Sequence, residues 1–356
     1  MICIITLKNC QKVQNSFMKR NIFFLFFLIF FTNCFALQNK NNFVDISSSV
    51  GVMFGRASEY VYLDYENYQG IENYNEKLSQ LDYEYAVPCL NLKIESRLFK
   101  YLHLGFDIST AIPMKCGIMQ DYDWLNKEYP SHQWANELTN YSKHENYLDY
   151  YFDCKLNIGP HINILNKVSL IPLVGFGFDI IQFSAYNGSY KYYPEYLVQH
   201  HGPYTPISLE SYEFDSSGKD IIYSQYSSDG KGNPSVHFNI GLKYLIKFIP
   251  RVFISGSCLF YPFYSVSSFD YHISRNIDFL SVVNKSFKFD GNLRIVYKLN
   301  NVLSLGLDGK FSVIPEKCGV TYTKIHSEKN YSFAHNTQSR IARISGQVSF
   351  VLGLSF

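Results

Sequence analysis

The sequence predicts an all-β fold: a ten-stranded antiparallel transmembrane β-barrel of the outer-membrane type, extending above the membrane. Three observations predict it. Long stretches alternate apolar and polar residues with period two, the mark of a strand. The polar face of these stretches carries charges of both signs, which suits a filled lumen better than a wet surface. The composition is rich in aromatics, with 30 Tyr and 30 Phe in 356 residues, enough for the interfacial girdles of such a barrel.

The elements follow in order. Residues 1–36 read as a signal peptide, with Lys19 and Arg20 ahead of the apolar run Ile22 to Phe31. That run is too short to span a bilayer and suits a signal core. Cys34 and Ala36 stand at the −3 and −1 positions of a cleavage site, and Met18 is a candidate true start. The alternative is a lipoprotein signal with Cys34 lipidated. Residues 37–356 then form one barrel, with strands at roughly 43–62, 79–98, 102–123, 146–162, 168–192, 234–247, 251–272, 284–299, 302–323 and 341–356. In the eighth, Phe287, Phe289, Leu293, Ile295 and Tyr297 alternate with Lys288, Asp290, Asn292, Arg294 and Lys298. In the last, Ile344, Val348, Phe350, Leu352, Leu354 and Phe356 share one face.

Short connections near Lys100, Asn166, Pro250 and Asn300 would lie in the periplasm, and long polar ones outside the cell. The longest, about 193–233, contains "DSSGKD" and "SSDGKGN", read as solvated turns, and "QHHG" at His200 and His201, read as a loop pair. Beyond the leader, Cys89, Cys116, Cys154, Cys258 and Cys318 follow no metal or disulfide pattern. A net charge of +2 argues against nucleic acid as a partner. A small-molecule porin is disfavoured, because Lys288, Arg294, Asp308 and Lys310 would plug so narrow a lumen.

"MQDYDWLN" and "FDYH" stand out. Asp121 lies about 20 residues past one periplasmic turn and Asp270 about 20 past another, so both would clear the apolar band at equal height. Asp121 and Asp123 share the lumenal parity of Asp107. Asp270 and His272 have the opposite parity to the polar residues of their strand, Ser255 and Ser257, and need a bulge, which Pro262 could mark. An Asp bonded to His raises its basicity, so that the imidazole can deprotonate water. A facing carboxylate pair would hold that water and share a proton. No nucleophile elbow and no HExxH occur.

These motifs resemble the omptin family of bacterial outer-membrane endopeptidases, over roughly residues 45 to 356. "GIMQDYDWLN" resembles its acidic pair before tryptophan, and "SSFDYHIS" its Asp-x-His dyad. "SEYVYL" and "SQLDYEY" resemble its first hairpin, "FSAYNGSYKY" resembles its aromatic strand ending in Gly-Ser-Tyr, and all stand in the expected order. The resemblance implies a barrel in the outer membrane, with its active site facing the exterior. Asp270 and His272 would be the activating dyad, Asp121 and Asp123 the opposing couple, and water the nucleophile. Glu59 matches a carboxylate that binds the substrate's basic side chain. Polypeptides would be cut beside basic residues by a monomer without a cofactor.

Two departures accompany the resemblance. Ser268 replaces a second acid of that pocket, which alters the basic selectivity expected. Phe178 and Ile180 replace the acidic and basic residues that contact lipopolysaccharide, so dependence on that outer-membrane lipid is not expected from these positions. The alternative function is a catalytically inactive barrel acting as an adhesin or binding protein.

Overall fold

The computed structural model describes residues 43–192, 203–208 and 214–356. The leader 1–36, with Met18 and Cys34, and the pair His200 and His201 lie outside the described residues. The strands are β1 (Phe43–Tyr68), β2 (Ile71–Leu98), β3 (Leu102–Ala111), β4 (Met114–Asp123), β5 (Asn140–Pro160), β6 (Ile162–Leu165), β7 (Val168–Tyr192), β8 (Phe214–Asp215), β9 (Lys219–Ser227), β10 (His237–Ile249), β11 (Val252–His272), β12 (Ile277–Lys298), β13 (Leu303–Ile325), β14 (Ser332–Phe333) and β15 (Thr337–Ser355).

All pairings are antiparallel, and β1 pairs with β15 from Asp45↔Ser355 to Leu63↔Thr337, which closes the sheet. Closure leaves no edge of unpaired backbone groups to face lipid. Two walls are divided end to end. β3 and β4 both lie between β2 and β5, and β9 and β10 both lie between β7 and β11. Counting each divided wall once, and leaving out the short β6, β8 and β14, the described residues form a ring of ten staves.

The differences from the expected strands have local causes. The third strand, expected unbroken over 102–123, breaks at Ile112 and Pro113, where proline cannot donate to the ladder. The span 219–227, expected within a long loop, is strand β9, because its backbone pairs with β7 on one side and β11 on the other and completes that wall. The segment above Ser227 does make the expected solvated turn, with Asp229 Oδ1 accepting from the backbone N–H groups of Lys231 and Asn233 at 2.8 and 3.1 Å. The first hairpin continues through 63–78 to a tight turn in which Gln69 and Gly70 have positive φ. Its 28-residue second strand extends about 90 Å along the chain, far beyond the roughly 25 Å apolar band even when tilted.

The turns at the opposite end are short. At Phe99 and Lys100 both φ values are positive and the Tyr101 N–H bonds to the Leu98 carbonyl at 3.1 Å, the primed turn that suits hairpin twist. At the next-to-last hairpin, Asn300 Oδ1 caps the backbone N–H groups of Val302 and Leu303 at 2.8 and 2.7 Å.

The surface is inverted relative to a water-soluble protein. Val50, Phe176, Leu305 and Phe350 face outward, Phe350 with 77% exposure, while alternate residues carrying charge point into the lumen. There Lys288, 2% exposed, lies 3.1 Å from Asp179 and 3.5 Å from both Asp153 and Asp290. Arg343 also pairs with Asp179. Lys310 pairs with Asp107 at 2.8 Å, and Arg294 with Asp308 at 3.3 Å. Above these charges lies an apolar belt that includes Met53, Tyr83, Phe183 and Tyr223. All five described cysteines are free thiols.

Lys288 shares with Lys155 and Arg343 the compensation of three buried carboxylates, Asp153, Asp179 and Asp290, and it is the one cation that reaches all three. Lys288→Ala should lower the unfolding free energy by about 3–5 kcal/mol, read from urea unfolding of the refolded barrel in detergent.

Candidate active site

The site stands above the apolar belt. Two registers place its halves. Tyr83 of β2 pairs with Met119 of β4, two positions from Asp121. Tyr223 of β9 pairs with Asp270 of β11. The rings of Tyr83 and Tyr223 stack across the lumen at 4.2 Å, and Phe183 of β7 stacks on Tyr83 at 5.6 Å. These buried rings form the floor of a groove, and the two acidic elements rise from opposite sides of it.

Asp270 and His272 reach the lumen through a change of parity. Up to Tyr261 the odd residues of β11 point inward; from Tyr264 the even ones do. The register shifts between Tyr261 and Tyr264, around Pro262, and again before Val266, beside the positive φ of Lys285 on β12. Without that bulge the dyad would face outward.

His272 Nε2 lies 2.7 Å from Asp270 Oδ2, and both residues are buried. A carboxylate only accepts, so Nε2 carries the proton and Nδ1 keeps a free lone pair. Phe279 packs edge-on against the imidazole at 5.5 Å. Burial disfavours the imidazolium, but the neighbouring Asp270 charge outweighs it and raises the His272 pKa above its ordinary value. Asp270 Oδ1 is buried without a hydrogen-bond partner.

Asp121 and Asp123 sit on the last inward positions of β4, paired with Leu81 and Ser79 of β2. Burial raises the pKa of both, and the Asp123 charge raises Asp121 further. His272 and Arg275 pull in the other direction. The Ser79 hydroxyl is 3.5 Å from Asp121 Oδ1, the outer limit of a hydrogen bond. Such a pair retains a proton close to neutrality.

Glu59 lies on β1 and is buried to 4% exposure. Its Oε1 accepts a 2.5 Å hydrogen bond from Ser281 of β12, across the lumen, while Oε2 has no partner. Burial, then the Asp270 charge, push its pKa up to about 7. Ser268, buried beside it, places a hydroxyl toward Glu59 but within normal distance of no partner. At the position expected of a second acid, Glu59 therefore has a serine. Phe178 and Ile180 are half-buried, flanking the lumenal Asp179.

Several neighbours were not singled out from sequence. Arg275, in the turn after β11, faces Asp121 and Asp123 and hydrogen-bonds Tyr192. Its position three residues after His272 was the available signal. His144, hydrogen-bonded to Ser142 at 2.9 Å, is pushed by burial to a pKa of about 4 and stays neutral. A second Asp–His pair, Asp278 and His326 at 2.7 Å, braces the dyad strand, with His326 stacked on Tyr271 at 4.0 Å. Among the described residues, no group of His, Cys, Asp and Glu could hold a metal ion.

The comparisons fit this architecture. The crystal structure of the outer membrane protease OmpT from Escherichia coli superposes with a TM-score of 0.70 at 19% identity, covering 89% of this chain and 98% of that one. The outer membrane protein OprG from Pseudomonas aeruginosa matches over 88% and 95% of the two chains at 10% identity, but its TM-score of 0.33 carries no weight. No curated protein matches the sequence. A sequence profile described as the Omptin family matches residues 40–356, the whole described barrel. The closed barrel, the groove above its apolar belt and that match together make this chain a member of the omptin family, resident in the bacterial outer membrane.

Proposed function

We propose that the protein is an outer-membrane endopeptidase that hydrolyses polypeptides beside basic residues. The observation that carries this reading is the meeting of the Asp270–His272 pair with Asp121 and Asp123 above one aromatic floor. The groove faces the cell exterior.

In this mechanism a water molecule sits between His272 Nδ1 and the Asp121 carboxyl. His272 takes its proton as the hydroxide attacks the scissile carbonyl carbon, and Asp270 stabilises the imidazolium. The proton shared by Asp121 and Asp123 is available to the developing oxyanion. Arg275 offsets part of their charge. On collapse, the C–N bond breaks and the imidazolium returns its proton to the leaving amine, which regenerates the neutral base. Glu59, with Oε2 unpartnered, receives the substrate's cationic side chain. Beside it, Ser268 stands in place of a second acid.

Refolded barrel should cleave quenched peptides containing Arg-Arg or Lys-Lys and spare a neutral control. His272→Ala should lose at least about 10³-fold in kcat/KM, consistent with removal of a general base. Binding or adhesion that survives in this variant, with no cleavage by either protein, would instead favour the adhesin reading.

The pH profile carries a second test. Because the His272 pKa is raised, the acid limb of kcat/KM should lie above 6.5. Asp270→Asn removes the carboxylate that raises it, so the limb should move to lower pH while the plateau falls.

A third test concerns Glu59. It ionises through about pH 7, so preference for basic over neutral peptides should strengthen as pH rises through that value. Glu59→Gln should abolish that dependence, raising KM for basic peptides about tenfold and sparing kcat.

A further inference from the structure

The lumen holds a second cavity at its periplasmic end, remote from the groove, with a volume of about 370 Å³. One water needs only ~10–15 Å³ of such space. Its lining includes six Lys or Arg residues against two carboxylates, Asp45 and Glu95. Glu95 is already engaged by Lys93 at 2.9 Å and by Lys243. Asp45 accepts from Ser355 at 3.1 Å.

Four of the cations are left over. Arg97, Lys167, Lys247 and Lys298 line the cavity and form no ion pair among the described residues. Arg97 Nε is buried and has no hydrogen-bond partner. Two rings flank two of these charges: the Arg97 guanidinium lies 6.0 Å from the Phe43 ring centroid, and Lys298 Nζ lies 5.5 Å from Phe43 and 5.0 Å from Phe253. Arg97, Lys247 and Lys298 share the inward parity of their strands, and Lys167 lies in the turn before β7. This differs from the charge network above, where each cation is matched by a carboxylate.

Around this recess Arg97 and Lys298 are half-buried, Lys167 and Lys247 stand at its exposed rim, and of the two lining carboxylates only Asp45 is left to offset them, so their summed field favours an anion that joins them. We propose that this vestibule is a binding site for a compact, multiply charged phosphate-class anion entering from the periplasm. Arg97 supplies the fork that matches such oxyanions, and the three lysines supply point charges. The site is independent of peptide cleavage, since its residues lie at the other end of the barrel from His272.

The test uses the refolded barrel with tripolyphosphate as probe, titrated calorimetrically at fixed ionic strength in neutral detergent. Saturable binding of one probe per barrel is expected. Arg97→Gln and Lys298→Gln should each weaken it about tenfold, and Lys247→Gln provides a third variant should either misfold. Heat-modifiable gel migration reports folding in every case. Nanodiscs of phosphatidylcholine, alone or mixed with phosphatidylglycerol, separate the sources. Loss of probe affinity in the anionic lipid identifies a headgroup as the occupant, and unchanged affinity identifies a free anion. Absence of saturable binding, or equal affinity in wild type and folded variants, overturns the proposal.

Discussion

Closure of the sheet governs this structure. Inside a bilayer every backbone N–H and C=O must be satisfied by the protein, and the pairing of β1 with β15 does this for the last free edge. Once the ring is closed, side-chain parity admits only two destinations, lipid or lumen. Apolar residues go outward, and the remaining half of each strand, charges included, must share a narrow interior. The Lys288 cluster with Asp153, Asp179 and Asp290 is the consequence: buried ions tolerated because each has a partner. The same rule explains the bulge at Pro262. A strand that must be lumenal below with its odd residues and lumenal above with its even ones has to gain a residue in between.

Above the membrane the constraint changes from lipid to low dielectric. The groove gathers Glu59, Asp121, Asp123 and Asp270 over a dry aromatic floor, so their charges act on one another with little screening. His272 and Arg275 are the counterweights. The balance keeps His272 basic enough to accept a proton, and keeps a proton on the acidic side of the groove. Glu59 stands there with Ser268 rather than a second acid beside it, and its ionisation is tied to Asp270 through the repulsion between the two charges.

Much of this was legible in the sequence. Period-two alternation in segments such as 287–299 and 344–356 identifies strands because parity is a local property of the backbone. Counting from short turns placed Asp121 and Asp270 at one height because rise per residue is nearly constant. The need for a bulge near Pro262 followed from parity alone. What escaped was set by contacts across the lumen. Strand β9 lay hidden in a Tyr-, Ser- and Gly-rich stretch, since its pairing depends on β7 and β11 rather than on its own pattern. Ser281, which bonds Glu59 from three strands away around the ring, is 222 residues away in the chain. The outer ends of the strands also ran further than expected, because bilayer thickness sets only a minimum length.

The central claim is that His272 and Asp121 act on one water from opposite sides of the groove. Cleavage of one basic peptide by His272→Ala, Asp121→Ala and the double variant tests it most directly. If the two groups work as a unit, the double variant loses no more activity than the worse single one. If the two losses multiply instead, the residues contribute independently, and the shared-water account is contradicted.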